Sequence, residues 1–155
     1  MLIIYYNFYR PKKTQMIFWI VSHCDTVNYR EKYVEILQNF LQVNVFGQCN
    51  KKACPRGGTL DDCHKVQSET HKFYLAFENS NCKDYITEKL WKTLALPVIP
   101  IVMGSGNYTR DAPPNSFIDV RSFENIQALA EYLLYLDQNN VSIFQVQEKQ
   151  IMFLQ

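Results

Sequence analysis

The segment Phe73-Tyr-Leu-Ala-Phe-Glu-Asn-Ser-Asn-Cys-Lys-Asp-Tyr-Ile-Thr-Glu-Lys-Leu-Trp91 concentrates side chains from which a ligand site can be built. A helix opening at Tyr85 and capped by Asp84 would put Tyr85, Glu88, Lys89 and Lys92 on one face, because they fall at i, i+3, i+4 and i+7. Ile86, Leu90 and Leu94 fall on another face and would pack on a sheet. Free N–H groups and the macrodipole at a helix start favour an anion, and the Lys89 ammonium adds a point charge for a phosphate. Glu88 can accept two hydrogen bonds from vicinal hydroxyls such as those of a ribose, and Tyr85 offers a flat surface and a hydroxyl. Asn79 can bond a ligand hydroxyl, while Glu78 suits a structural acceptor that braces the turn. Arg30, far upstream, can clasp a pyrophosphate bidentately. The same spacing also describes a solvated helix face carrying a Glu–Lys pair, and Arg30 also fits a surface residue paired with Glu31 or Glu35.

His23 and Cys24 invite a nucleophile, but neighbours on an extended chain point oppositely, so Cys24 reads as a buried or disulfide cysteine. Cys49, Cys54, Cys63 and Cys82 crowd a short stretch. With the acceptors Asn107-Tyr-Thr and Asn140-Val-Ser, these five cysteines point toward the secretory pathway and make each a disulfide candidate. Zinc held by these cysteines with His64 and His71 is disfavoured, because the spacings lack paired C-x-x-C hooks. No metal site is expected, and both histidines are expected to be exposed.

The scaffold follows from the apolar pattern. Met16–Ser22 is a continuous apolar run, the mark of a strand buried on both faces. Residues 28–41 read as a helix, Val43–Gly47 as a strand, and 48–70 as a long irregular loop stapled by cysteines. Strands follow at Phe73–Glu78, Val98–Gly104 and Phe117–Val120, with helices at Tyr85–Leu96 and from a Ser122 cap through Leu136, and a loop at Asn107–Asn115. Strands separated by such helices form a parallel, Rossmann-like α/β sheet with helices on both faces. Ligands on these sheets bind beyond the C-terminal ends of the strands, which here are Ser22–Arg30, Glu78–Lys89 and Gly104–Asn115. Neither a G-x-G-x-x-G after the first strand nor a P-loop is present, so ordinary dinucleotide binding is disfavoured.

The 155 residues suffice for one domain, and a net charge of +1 gives no basic footprint for nucleic acid. Met1–Phe8 is too short an apolar run to span a membrane.

Phe73–Lys89 (FYLAFENSNCKDYITEK) resembles the donor-site signature of the α1,3/4-fucosyltransferases, glycosyltransferase family 10. The resemblance extends to Val21-Ser-His-Cys24, Arg30-Glu-Lys-Tyr-Val34, Val45-Phe-Gly-Gln-Cys49, Pro97–Gly104, Ala112–Ile118 and Phe123–Asp137. It covers residues 15–138, leaves 1–14 and 139–155 unmatched, and shows His23 where the family commonly has Asn. It implies the C-terminal half of a GT-B enzyme that moves fucose from GDP-fucose, with inversion, to a GlcNAc hydroxyl of a glycan in α1,3 linkage. Arg30 and Lys89 then correspond to the pyrophosphate cations, Glu88 to the ribose acceptor, and Tyr85 and Asn79 to further donor contacts. The catalytic base is expected in the family's N-terminal domain and is assigned to no residue here. The resemblance further implies Mn²⁺ stimulation in some members, a Golgi lumen location and an N-terminal membrane anchor outside this chain. The alternative is a non-catalytic nucleotide-sugar-binding or partner-binding fragment.

Overall fold

A computed structural model describes residues 13–49, 52–54, 59–139, 143 and 146. Asn140 and the Pro55–Gly58 part of the cysteine loop lie outside the described residues, as do residues 1–12 and most of the C-terminal segment that follows position 139. Five strands, β1 (Gln15–Ile20), β2 (Val43–Phe46), β3 (His71–Phe77), β4 (Ile99–Met103) and β5 (Ile118–Asp119), form one sheet in the order β2-β1-β3-β4-β5. Every pairing is parallel, with Ile17 opposite both Val43 and Phe73, and Phe73 in turn opposite Ile99. The Rossmann-like α/β expectation holds.

Alternation along the strands divides the core between the two faces. Ile17, Trp19, Phe73, Leu75 and Phe77 face α1 (Arg30–Leu37) and α5 (Ile126–Gln138), meeting Val34, Leu37, Leu129 and Leu133. Phe18, Tyr74, Ala76 and Val102 face the other way, toward α2 (Leu60–Thr70) and α3 (Glu88–Leu94), where Leu90 and Leu94 complete the second cluster. A fourth helix, α4 (Tyr108–Asp111), buries Tyr108 in that same cluster. Among the described residues no helix is long and apolar enough to cross a membrane.

Several boundaries differ from the sequence expectation, each for a local reason. The second half of the expected irregular loop is α2, opened by a capping box in which Thr59 Oγ1 accepts from the Asp62 N–H and Asp62 Oδ2 accepts from the Thr59 N–H. Its buried face is Cys63, His64, Gln67 and Ser68, so no apolar period announces it. The expected helix start at Tyr85 falls three residues later: Thr87 is the cap, and Asp84 instead occupies the left-handed region at φ 58°. Asn125 rather than Ser122 caps α5, accepting from the Ala128 N–H at 2.9 Å. The expected loop at Asn107–Asn115 contains α4, capped by the exposed Asn107. The helix expected over 28–41 is shorter at both ends, beginning after Tyr29, whose φ is 54°.

His64 and His71 are buried rather than exposed. His71 sits between the Gln67 carbonyl and the Asn44 amide, each 2.9 Å away. Cys24 pairs with Cys49 and Cys54 with Cys63. Cys82 is an exposed free thiol, which removes it from the disulfide candidates.

Candidate functional site

The strand order reverses between β1 and β3, because the connection leaving β1 runs to β2 and the one leaving β2 returns across to β3. Beyond the C-terminal ends of such a pair the two loops diverge and leave a crevice. A cleft of about 370 Å³ lies there, lined by the end of β1 through His23, Arg30, Tyr74 and Asn79, by Leu60, Asp61 and His64 of α2, and by Glu88, Lys89 and Lys92 of α3. This volume lies in the range of small-molecule sites.

Arg30 opens α1 and turns its guanidinium inward, leaving the residue 4% exposed. Nη1 donates to the Phe77 carbonyl at 2.7 Å and Nη2 to the His23 carbonyl at 3.1 Å. Its carbon centre lies 5.5 Å from the Trp19 ring centroid, and Nε is buried with no partner. Burial pulls the Arg30 pKa below the ordinary arginine value. The carboxylates that spacing offered as partners are engaged elsewhere: Glu31 accepts from Thr26 Oγ1 at 2.8 Å and Glu35 pairs with Lys32 at 3.0 Å. Among the described residues no carboxylate forms an ion pair with Arg30. A buried guanidinium at a cleft edge, with Glu31 and Glu78 acting on it only from beyond ion-pair distance, has the chemistry to attract an anion.

Lys89 supplies the second cation. Its ammonium donates to Thr87 Oγ1 at 3.0 Å and to Glu78 Oε2 at 3.3 Å, with Glu88 Oε1 at 3.7 Å. Glu88 itself is mostly exposed at the cleft edge, its Oε1 in a long ion pair with Lys89. Asn79 reaches the cleft directly from the end of β3, and Asn28 steadies that turn by donating to the Glu78 carbonyl at 2.8 Å. The structure therefore brings Arg30, Asn79, Glu88 and Lys89 to one cleft. Tyr85 is not on the helix face that spacing proposed for it, lies outside the lining residues, and is held by its N–H to the Cys82 carbonyl.

The opposite wall escaped sequence reading because it belongs to α2. His64 packs against Tyr74 with ring centroids 4.2 Å apart, and its Nε2 lies 3.2 Å from Thr93 Oγ1. Burial lowers the His64 pKa to about 4, so the imidazole is neutral at physiological pH, and burial pushes the Tyr74 phenol above its ordinary value. Asp61 and Lys92 pair at 2.8 Å between α2 and α3. The signal that could have found this wall is the Thr59-x-x-Asp62 capping box. The His23–Cys24 nucleophile is ruled out, since the Cys24 sulfur is in a disulfide. Among the described residues no group of three or more His, Cys, Asp or Glu is placed to hold a metal ion.

Residues 10–146 match the C-terminal domain of glycosyltransferase family 10 (fucosyltransferase). Alpha-(1,3)-fucosyltransferase C of Drosophila melanogaster is 42% identical over 121 residues, 78% of this chain and 28% of that protein. Glycoprotein 3-alpha-L-fucosyltransferase A of the same organism is 44% identical over 135 residues, 85% of this chain and 27% of that protein. The chain thus spans under a third of the length of these relatives. A crystal structure of an alpha1,3-fucosyltransferase with GDP-fucose superposes with a TM-score of 0.74 at 24% identity, over 88% of this chain and 39% of that one, a likeness of fold.

Proposed function

Because this chain belongs to glycosyltransferase family 10, we propose that it supplies the GDP-fucose site of an inverting α1,3-fucosyltransferase acting on a GlcNAc-containing glycan. The observation that carries this reading is the arrival of two cations from separate crossover units, Arg30 and Lys89, at one cleft over the β1/β3 switch point. In this reading both cations take the diphosphate, Glu88 accepts the ribose hydroxyls, and Asn79 adds a donor contact, while Tyr85, outside the lining, is given no contact. As the bond to fucose breaks, negative charge grows on the departing GDP. Fixed positive charge in a partly dry cleft stabilises that transition state, and the loss of one such group in comparable sites costs roughly 3 kcal/mol. No described residue is assigned as the base that deprotonates the acceptor.

The reading places the working protein in the Golgi lumen, anchored through sequence outside this chain. The two disulfides support an oxidising compartment, and the exposed Asn107 is the proposed glycan acceptor. Mn²⁺ is given no step, since the described residues gather no group of three or more His, Cys, Asp or Glu to hold it.

Calorimetric titration of the chain with GDP tests the donor site. Native binding is expected to weaken about tenfold or more in Lys89→Met, the loss of one charge-assisted contact. Binding by the native chain without fucosyl transfer to a GlcNAc acceptor is the outcome expected of a donor site alone, and the non-catalytic nucleotide-sugar reading shares it. Absence of GDP binding by a folded native chain would dismiss both.

A further inference from the structure

We propose that Glu78 is the positioning residue of the donor site, acting through Lys89; the proposal rests on the donor-site reading above. Glu78 follows directly on β3 and continues its ladder, donating its N–H to the Met103 carbonyl at 2.9 Å. Alternation along the strand sends its side chain to the face that carries Tyr74, Ala76 and α3. There the carboxylate is almost fully buried, at 1% exposure. A carboxylate in that position is costly unless its oxygens are satisfied, and here they are. Oε1 accepts from the Thr87 N–H at 2.9 Å and from Thr87 Oγ1 at 3.0 Å, while Oε2 lies 2.9 Å from the same hydroxyl and 3.3 Å from Lys89 Nζ.

One buried group therefore fixes the entry to α3 and the direction of the cation that α3 presents. The neighbouring strand makes room for it. A Cβ on Gly104 would stand 3.1 Å from Glu78 Cγ and 2.6 Å from the Tyr108 hydroxyl, so the glycine leaves the space the carboxylate occupies. An amide in place of the carboxylate keeps the volume and can still accept from Thr87. It turns an N–H donor toward the ammonium, however, and drives Lys89 out of its direction over the cleft.

A double-mutant cycle on GDP affinity separates this role from simple packing, because coupling isolates what passes between the two side chains. Glu78→Gln is expected to weaken GDP about tenfold in the native chain and less than twofold when Lys89 is already Met. Glu78→Asp, which keeps the charge but retracts it by one methylene, serves if the amide variant does not fold, and should show the same dependence on Lys89 at a smaller loss. An equal loss in both backgrounds would reduce Glu78 to a brace for α3 and overturn the proposal. Tighter GDP binding in Glu78→Gln would do the same, by showing that the carboxylate merely opposes the phosphate. If Lys89→Met alone binds GDP like the native chain, the donor-site reading fails at Lys89 and this inference falls with it.

Discussion

The two ends of the sheet each hold a cation against backbone carbonyls, and they do so to opposite effect. At the N-terminal edge, Lys13 directs its ammonium to the carbonyls of Ser68, His71 and Pro97; burial pulls its pKa down to about 7, and the three carbonyl acceptors favour the protonated form against that pull. At the C-terminal edge, Arg30 meets two carbonyls with a five-donor fork and leaves Nε without a partner beside a cleft. The first arrangement is closed and ties α2, β3 and the entry to β4 together. The second is held in place by the protein but not satisfied by it. Buried charge of the first kind serves the fold, and buried charge of the second kind leaves donors available for a ligand.

The contrast can be broken most directly at Lys13. Lys13→Met should lower unfolding free energy by about 3–5 kcal/mol, since several partly buried carbonyls lose their donor, while GDP affinity well below the melting temperature stays within a factor of two. Chemical denaturation and calorimetry read the two quantities separately, and a large loss of GDP affinity would erase the distinction between the ends.

Acid should act next most strongly. Each end carries a buried imidazole whose pKa is lowered by burial, His64 at the cleft and His71 at the base. A folded-state pKa below the unfolded one means that the unfolded chain takes up the proton first. Stability from His64 is therefore intact above about pH 6.5, the ordinary histidine value, and lost as pH falls toward the folded value of about 4. Urea unfolding at pH 7 and pH 4 should show the native chain losing about 3 kcal/mol relative to His64→Phe, and parallel losses in both chains would mean that this imidazole is not held neutral.

At the cleft, Arg30→Lys should weaken GDP by about 1.5–3 kcal/mol, because an ammonium cannot reproduce the fork that spans two carbonyls and still faces the cleft. A melting temperature that falls without any change in GDP affinity would return Arg30 to the structural class of Lys13. The smallest effect belongs to the exposed Lys92–Asp61 pair, where Lys92→Ala should leave the melting temperature almost unchanged. A larger drop in thermal denaturation would show that this bridge braces the α2 wall.

The sheet was legible because the runs around Ile17, Phe73 and Ile101 are apolar on both faces, and only strands covered by helices on each side need that composition. The site was partly legible for a related reason. Glu88, Lys89 and Asn79 lie close along the chain at one strand end, so their proximity required little more than the turn between β3 and α3. α2 was not legible, because its buried positions are polar and their hydrogen bonds, such as His64 to Thr93, are made with residues distant in sequence. Tyr85 was misplaced on a helix because spacing alone does not register the Glu78 carboxylate, which accepts from Thr87 and sets where α3 begins.

By itself the sequence determined the alternating strands and helices, the parallel sheet and the kinds of group at its ligand edge, since these follow from local hydrophobic pattern and side-chain chemistry. Only the tertiary structure decided which cysteines pair, that Arg30 turns inward under the cleft rather than toward Glu31 or Glu35, and that α2 closes the far wall. Those outcomes depend on burial and on partners brought together by the crossovers, and neither quantity exists until the chain has folded.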